Sequence, residues 1–247
     1  MKGTLKVIGI GPGSSSELSP RARCSLEQSD LLVGYSRYIT LLGPIAREKE
    51  TFTSGMRKEK ERAQYAVDAA RKGRKVCVVS GGDAGVYGLA GLVLELCSEE
   101  DLEALQVEVI PGITAATAAA ALLGAPLIHD FAVISLSDLL TEKELIRRRL
   151  ALAAEGDFVT VLYNPKSRRR EELFYALPDI FLPHRSRKTP VGIVSDAGRE
   201  GEERTITVLE SLTDWADSVQ MGTTVIIGNS KSYLKGKFII TPRGYPV

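Results

Sequence analysis

Short β-branched runs alternate with helical patterns through the first half of the chain. Apolar runs predict strands, and apolar residues that recur every three or four positions predict amphipathic helices. The predicted strands are Leu5–Ile10, Asp30–Gly34, Lys75–Ser80 and Val107–Ile110. The first predicted helix begins at Ser19-Pro20, with Ser19 as N-cap and Pro20 as the first helical residue. The other predicted helices are Glu59–Arg71, which Gly73 ends, Val86–Cys97 and Ile113–Leu123. This alternation is typical of a mostly parallel sheet covered on both faces.

Strands become more frequent beyond Gly124-Ala125-Pro126, which we interpret as a linker. The predicted strands here are Phe131–Leu136, Asp157–Tyr163, Val191–Ser195, Arg204–Thr207, Val225–Ile227 and Phe238–Thr241. The segment from Gly192 to Thr207 reads as a hairpin turning near Gly198 and Gly201. The predicted helices are Thr141–Glu155, with Thr141 and Glu144 as a capping box, and the basic segment Arg168–Leu177. The whole pattern predicts an α/β protein of two domains, at 1–122 and 127–247.

Charge and cysteine usage narrow the classes of protein. Lys plus Arg is 32 and Asp plus Glu is 31, so the formal net charge of +1 argues against a general nucleic-acid coat protein. The odd number of cysteines, three, argues against a disulfide framework. The absence of a CxxC motif and the wide separation of the two histidines argue against a metal site. The amino terminus lacks a signal-peptide pattern, and no uncharged apolar run reaches the ~18 residues of a membrane span. We therefore expect a cytoplasmic protein with neither a nucleic-acid nor a membrane partner.

Three glycine-rich turns follow predicted strands of the first half, at Gly9–Gly13, Ser80–Gly85 and Pro111–Ala115. Loops at the carboxyl ends of parallel strands line the ligand crevice of an open α/β sheet, and glycine lets the backbone approach a ligand closely. Together the three loops indicate a nucleotide-like ligand. The dinucleotide fingerprint does not fit, because Ser14 stands at the position of its third glycine, and a P-loop motif is missing from the sequence.

Asp83 lies in the second of these turns and has two interpretations. Its carboxylate could hold a ribose hydroxyl or a ligand ammonium, or it could cap the turn by accepting hydrogen bonds from the backbone. The sequence pattern leaves both interpretations open.

Several motifs resemble the tetrapyrrole methylase superfamily, whose members methylate corrin and sirohaem precursors with S-adenosylmethionine. In the first half these are VIGIGPG from Val7, SGGDAGVYG from Ser80 and PGITA from Pro111. Motifs of the second half are similar to the precorrin-3B C17-methyltransferase branch of that superfamily, at His129–Leu140, Tyr163–Ser167 and Thr241–Tyr245. The resemblance spans essentially the whole chain.

The resemblance implies a fold, a reaction and an assembly. The fold is two α/β domains of the tetrapyrrole methylase type, with S-adenosylmethionine in the inter-domain cleft, usually in a homodimer. The reaction is methylation at C17 of precorrin-3B or cobalt-precorrin-3 with ring contraction, in cobalamin biosynthesis, with S-adenosylhomocysteine as a product. The substrate is an anionic tetrapyrrole, with or without cobalt. Two alternatives stay open: a tetrapyrrole methylase acting at another position, and a non-catalytic S-adenosylmethionine-binding module.

The resemblance also implies site residues. The implied cofactor contacts are Pro12, Gly82, Asp83, Val86, Tyr87, Thr114, Ala115, Tyr163, Asn164, Ala197 and Thr224. Ring contraction moves protons, and the candidates for acid–base catalysis are His129, Asp130, Ser135 and Asp138. His129 also fits a linker histidine, and Asp138 also fits a simple turn before the next helix. Cationic side chains beside the family motifs are the candidates for binding the carboxylates of the substrate; they are Lys166, Arg168 and Arg243.

Overall fold

The computed structural model describes residues 2–246. The chain divides by its internal contacts into two compact units, Met1–Ala115 and Ala116–Val247. Each unit contains a five-stranded sheet and its own helices. The predicted α/β class is therefore confirmed. Within residues 2–246, no helix combines the length and apolar character that crossing a membrane requires.

The first unit is built on a five-stranded parallel sheet. Its strands are β1 (Thr4–Gly9), β2 (Leu31–Tyr35), β3 (Glu50–Ser54), β4 (Lys75–Ser80) and β5 (Gln106–Ile110). Its helices are α1 (Pro20–Glu27), α2 (Ser36–Leu41), α3 (Pro44–Arg47), α4 (Glu59–Arg71), α5 (Ala90–Leu96) and α6 (Glu99–Ala104), with a 3₁₀ turn at Ser15–Glu17. The strand order is β3-β2-β4-β1-β5, so β1, the first strand of the chain, lies between β4 and β5.

Apolar side chains of this sheet point alternately to its two faces. In β4, Val76 and Val78 pack in one hydrophobic cluster with residues of α4 and α5, whereas Cys77 and Val79 pack in the cluster on the opposite face. Both faces are therefore covered, as expected for a parallel sheet with near-continuous apolar strands.

The second unit has a mixed five-stranded sheet and a small three-stranded sheet. Its strands are β6 (Gly124–Ala125), β7 (Phe131–Ser135), β8 (Val159–Tyr163), β9 (Pro190–Ser195), β10 (Glu203–Val208), β11 (Thr224–Ile227), β12 (Tyr233–Lys235) and β13 (Phe238–Ile240). Its helices are α7 (Ala115–Leu123), α8 (Lys143–Glu155), α9 (Glu172–Tyr175) and α10 (Leu177–Phe181), with a 3₁₀ helix at Leu209–Trp215. The sheet orders are β10-β9-β11-β8-β7 and β12-β13-β6.

Helix α7 packs within the second unit. Its residues Ala116, Ala119 and Leu123 share a hydrophobic cluster with apolar side chains of β8 and β11. This packing places the helix in the second unit, whereas the domain bounds predicted from the sequence, 1–122 and 127–247, place it in the first domain. The difference arises because the Gly-Ala-Pro break follows the helix in sequence, while packing depends on which sheet the helix covers.

Local signals predict several elements closely. Ser19 Oγ accepts a hydrogen bond from the backbone N–H of Ala22 at 3.1 Å, with Pro20 as the first helical residue, so the predicted start of α1 is confirmed. Helix α4 spans the predicted residues, and Gly73 follows its end with φ +83°. The predicted hairpin is confirmed as the antiparallel pair β9–β10.

Helices α5 and α8 begin later in the chain than predicted. Helix α5 starts at Ala90 instead of Val86, because Tyr87 has φ +52°, which is incompatible with a right-handed helix. Helix α8 starts at Lys143 without a side-chain cap, so the predicted box of Thr141 and Glu144 is absent. The N-cap of α8 is Glu142, which leaves Thr141 one residue too early to cap it.

The predicted basic helix Arg168–Leu177 is replaced at its start by a tight turn. Ser167 N–H donates to the Arg170 carbonyl at 2.9 Å, and Arg170 N–H donates to the Ser167 carbonyl at 3.0 Å. The helix α9 begins only at Glu172. The structure also contains β3 and α6, for which the sequence pattern predicted nothing; β3 reads Glu-Thr-Phe-Thr-Ser and lacks an apolar run.

Asp101 links the amino end of α6 to α4. Arg71 donates from Nε to Asp101 Oδ1 at 2.8 Å and from Nη2 to Oδ2 at 2.7 Å. Ser98 N–H donates to Oδ2 at 2.8 Å, while Ser98 Oγ accepts from Asp101 N–H at 3.2 Å, which completes a capping box. The Arg71 guanidinium, and then the Ser98 backbone N–H, hold the pKa of the Asp101 carboxyl well below its usual range.

We expect Asp101→Asn to destabilise the first unit by about 1–2 kcal/mol at pH 7, because a charge-assisted bidentate pair is lost. Since the folded state lowers the pKa, the contribution is complete above the unfolded value of ~3.9 and is lost as pH falls below it. The difference between wild type and variant should therefore shrink from pH 7 to pH 3, measured by urea unfolding followed by far-UV circular dichroism.

Asp68→Asn is the matched control, because Asp68 Oδ1 accepts from the same guanidinium at 2.9 Å but its side chain is 46% exposed. Its expected cost is below ~0.5 kcal/mol at either pH. Equal effects of the two substitutions, or an Asp101 effect independent of pH, would contradict the assignment.

Candidate active site

The three glycine loops of the first unit begin at one edge of its sheet. Gly9 at the end of β1 pairs in register with Ser80 at the end of β4, and Ile8 pairs with Ile110 at the end of β5. Because the three strands are parallel neighbours, the loops that leave their carboxyl ends lie side by side. This is the position at which open α/β sheets bind ligands.

The loops are joined through their backbones. Gly11 N–H donates to the Gly82 carbonyl at 3.0 Å, and Gly82 N–H donates to the Gly11 carbonyl at 2.8 Å. A Cβ atom at Gly9 would lie 2.7 Å from the Gly82 carbonyl oxygen, and one at Gly112 would lie 2.3 Å from the same oxygen. Glycine at 9 and 112 is therefore required by the close approach of one loop to another.

The Asp83 carboxylate caps its own turn and ties it to the third loop. Oδ1 accepts from Gly85 N–H at 2.7 Å, and Oδ2 accepts from Gly112 N–H at 2.9 Å. Of the two interpretations of Asp83, the structure gives the turn-capping one. A contact between this carboxylate and a ligand stays a prediction.

Further predicted cofactor residues surround these loops. Tyr87 is 60% exposed, while Val86, Thr114 and Ala115 are partly buried. Pro12 is buried in the first loop. Asp83 is the only ionised side chain of Gly9–Gly13, Ser80–Gly88 and Pro111–Ala115. The loops therefore carry a formal negative charge and no lysine or arginine.

A second group of predicted residues meets at one edge of the main sheet of the second unit. Strands β7 and β8 are parallel, with Ser135 paired to Tyr163 at their carboxyl ends. Both β8 and β9 are antiparallel to β11, so β9 ends and β11 begins at this same edge. The structure therefore brings together Ser135, Tyr163, Asn164, Ala197 and Thr224.

Ser135 and Asn164 are joined directly. Asn164 Nδ2 donates to Ser135 Oγ at 3.0 Å, and Ser137 N–H donates to the same oxygen at 3.2 Å. Asn164 has φ +50°, and Asp196, just before Ala197, has φ +48°. Such backbone conformations are uncommon in residues other than glycine and concentrate at functional sites.

Tyr163 bonds to the amino end of α7. Its hydroxyl oxygen accepts a hydrogen bond from the backbone N–H of Ala116 at 2.7 Å. This contact satisfies one of the N–H groups that have no partner within a helix at its amino end. Tyr163 therefore positions the start of α7, whatever ligand it also contacts.

The four acid–base candidates lie at both ends of β7. His129 and Asp130 precede the strand, with side chains 47% and 81% exposed, and His129 Nδ1 accepts from Asp130 N–H at 2.9 Å. Ser135 and Asp138 lie at and beyond its carboxyl end. The structure therefore groups Ser135 with Asp138 and does not bring His129 and Asp130 to them.

The three predicted substrate cations have different surroundings. Lys166 Nζ donates to the Ala216 carbonyl at 2.9 Å and lies 3.6 Å from Glu171 Oε2, with its side chain 13% exposed. These contacts give Lys166 a role within the second unit. Arg168 and Arg243 are exposed. Substrate binding by all three residues stays a prediction.

Sequence reasoning missed Arg170, which bonds to the loops after β7 and β8. It was missed because it stands in a run of three arginines within the segment Arg168–Leu177, which the sequence pattern predicted as a helix. No sequence signal marks it, because Arg168, Arg169 and Arg170 are identical residues and only the turn at Ser167–Arg170 separates their surroundings.

Comparison with known proteins identifies the family. Residues 4–213 match the tetrapyrrole (corrin/porphyrin) methylases. A Salmonella typhimurium protein named "Probable cobalt-factor III C(17)-methyltransferase" is 46% identical over 241 residues, covering 98% of this chain and 99% of that protein. A Sinorhizobium protein named "Precorrin-3B C(17)-methyltransferase" is 39% identical over 256 residues, covering 99% of this chain and 98% of that protein.

A solved structure supports the same assignment. The crystal structure described as that of the methyltransferase CobJ matches with a TM-score of 0.90 and 32% identity, covering 97% of this chain and all of that chain. The family match covers most of the chain, and the relatives are similar over nearly their full length. The chain belongs to the tetrapyrrole (corrin/porphyrin) methylases.

Proposed function

We propose that this chain is an S-adenosylmethionine-dependent methyltransferase that methylates C17 of a corrin precursor during cobalamin biosynthesis, with contraction of the ring. The observation that carries the proposal is the full-length similarity to the Salmonella and Sinorhizobium proteins, whose names agree on position 17. They differ in the acceptor. Because the relative named for the cobalt-containing acceptor is 46% identical and the other 39%, we propose cobalt-factor III as the first acceptor to test.

The glycine loops of the first unit fit the proposed cofactor. S-adenosylmethionine, when bound, supplies an electrophilic methyl group on a sulfonium, and it carries no phosphate. The positive charge of the sulfonium suits these loops, because Asp83 is their only acidic residue and they contain no lysine or arginine. We assign cofactor contacts to Gly82, Val86 and Tyr87 of the second loop. The remaining proposed contacts are Pro12, Asp83, Thr114, Ala115, Tyr163, Asn164, Ala197 and Thr224.

The residues at the carboxyl end of β7 suit the proton transfers of ring contraction. Asp138 is 29% exposed at its side chain, and Ser135 is bonded to Asn164. We propose Ser135 and Asp138 as the groups that hold or move protons there. Methyl transfer itself needs mainly the alignment of the two reacting carbons, which rigid loops supply. His129 and Asp130 are weaker candidates because they lie at the other end of β7.

The test is turnover with isotopically labelled cofactor. Cobalt-factor III and metal-free precorrin-3B are incubated separately with the protein and methyl-labelled S-adenosylmethionine. The expected result is an acceptor that gains one labelled methyl group, seen by mass spectrometry, with the position assigned to C17 by NMR. Label at another carbon would favour a different tetrapyrrole methylase. Cofactor binding without label in any corrin precursor would favour a non-catalytic binding module, and either result overturns the proposal.

We also propose a homodimer, as the family resemblance implies. Sedimentation velocity of the purified protein tests this, with twice the chain mass of 26.8 kDa as the expected result and a monomer as the contradicting one.

A further inference from the structure

Arg170 joins the loops that follow β7 and β8. Its Nη1 donates to Ser137 Oγ at 2.9 Å, and its Nη2 donates to the Asn164 carbonyl at 3.4 Å. Its Nε lies 3.9 Å from Asp138 Oδ1 and makes no hydrogen bond to any residue from 2 to 246. One guanidinium therefore contacts three residues in two loops.

The turn at Ser167–Arg170 directs this side chain inward. The turn is closed by two backbone hydrogen bonds of 2.9 and 3.0 Å between its first and last residues. Arg168 and Arg169, at the two central positions, are exposed, whereas the side chain of Arg170 is only 12% exposed. Since its charged head is taken up by contacts within the second unit, Arg170 differs from a cation that waits for a substrate carboxylate.

The contacts of Arg170 converge on Ser135. The oxygen of Ser135 accepts from the Ser137 N–H at 3.2 Å and from the Asn164 side-chain amide at 3.0 Å. Both donors belong to residues that Arg170 holds, one through its hydroxyl and one through its carbonyl. The φ of +50° at Asn164 persists only if its surroundings hold it, and Arg170 supplies one such contact.

We propose that Arg170 is a positioning residue, which holds Ser135 and Asp138 in the arrangement that the reaction requires. The proposal rests on the proposed function of this site. A guanidinium suits the role because its planar fork of donors reaches acceptors in several directions, whereas a lysine ammonium is a single point of charge. Misplacement of reacting groups by ~1 Å can lower a rate about a hundredfold, so a residue outside the reacting atoms can have a large effect.

The kinetic test compares Arg170→Ala with Arg169→Ala, which removes an exposed arginine of the same turn. Arg170→Ala should lower kcat about tenfold to a hundredfold with KM changed less than about threefold, because binding groups stay in place. Arg170→Lys should recover little, and added guanidinium should partly rescue Arg170→Ala. Arg169→Ala should match wild type. A raised KM with unchanged kcat in Arg170→Ala would make Arg170 a substrate-binding cation and overturn the proposal.

Hydrogen exchange gives a readout that needs no turnover. In Arg170→Ala, the amides of residues 135–138 should exchange about tenfold faster, while the strand β8 keeps its protection. Ser137→Ala removes one acceptor of Arg170 and leaves the arginine in place, so it should change the same amides in the same direction. If the amides of residues 135–138 exchange at the wild-type rate in both variants, the positioning role is overturned, whether or not the enzyme is active.

The two measurements separate this inference from the proposed function. If the wild-type protein transfers no methyl group to any corrin precursor while the variants show the exchange effect, the proposed function is rejected and Arg170 positions these loops without a role in that reaction. Wild-type turnover combined with unaffected variants would reject the positioning role alone.

Discussion

Gly112→Ala should weaken binding of S-adenosylhomocysteine, the product of the proposed reaction. A Cβ atom at this position would lie 2.3 Å from the Gly82 carbonyl oxygen and 2.7 Å from the carbonyl group of Gly9. Both neighbours are backbone, so relief requires the three loops to separate. Overpacking of this kind costs about 1–3 kcal/mol, and the Asp83 contact with the Gly112 N–H would be strained as well.

We expect the dissociation constant of S-adenosylhomocysteine to rise about tenfold to a hundredfold, equivalent to ~1.4–2.8 kcal/mol, measured by isothermal titration calorimetry. Gly91→Ala is the control, because Gly91 lies on α5 with nothing within 4 Å of the added Cβ. There alanine should leave binding unchanged and stabilise the helix by about 0.5–1 kcal/mol. Wild-type affinity in Gly112→Ala would show that the contact of the loops is not required for binding.

Arg185→Met should be strongly destabilising to the second unit. The side chain of Arg185 is 1% exposed, and its Nη1 donates to the Ala154 carbonyl at 2.8 Å and lies 2.8 Å from Asp157 Oδ1. Its Nη2 donates to the Phe158 carbonyl at 3.3 Å. Burial lowers the pKa of this guanidinium, and the nearby Asp157 carboxylate opposes that shift.

Methionine fills much of the same volume but donates no hydrogen bond. The substitution would leave the Ala154 carbonyl, in the last turn of α8, and the Phe158 carbonyl without this donor, and Asp157 without its cation. Both carbonyls keep another donor, the Asp157 N–H and the Thr160 hydroxyl, each at 3.2 Å. The cost therefore comes from the lost charge-assisted hydrogen bonds, about 2–4 kcal/mol in total. Because Trp215 is the only tryptophan and lies in the second unit, its fluorescence during urea unfolding reports on that unit.

Arg187→Met is the matched control for Arg185. Arg187 is 76% exposed at its side chain and pairs with Glu210 at 2.8 Å, so the expected cost is ~0–1 kcal/mol. A similar shift of the unfolding midpoint in both variants would show that the buried contacts of Arg185 add no stability beyond a surface ion pair.

Much of the fold could be predicted because its signals are local. The strand β4 and the helix α4 have the predicted bounds, since an apolar run and a 3.6-residue periodicity are each contained within one element. Strand β3 could not be predicted in this way. Its residues are mostly polar and exposed, and it forms because β2 supplies the hydrogen bonds of a parallel partner.

The site divides in the same manner. The glycine loops were predictable from their composition, but the partner of Asp83 was not, because Gly112 lies 29 residues away in sequence. The separation of His129 and Asp130 from Ser135 follows from the extended conformation of β7, which carries its two ends apart.

The sequence by itself determined the α/β class, most strands and helices, the glycine loops and the family motifs. These depend on hydrophobic periodicity, backbone freedom at glycine and residue identity, all of which act over a few neighbouring residues. Only the tertiary structure decided that Asp83 bonds to Gly112, that Arg170 turns inward and that Ser135 bonds to Asn164 across 29 residues. The reason is physical: a polar side chain bonds to whichever partner the packed sheets bring within about 3 Å, and chain order does not specify that partner.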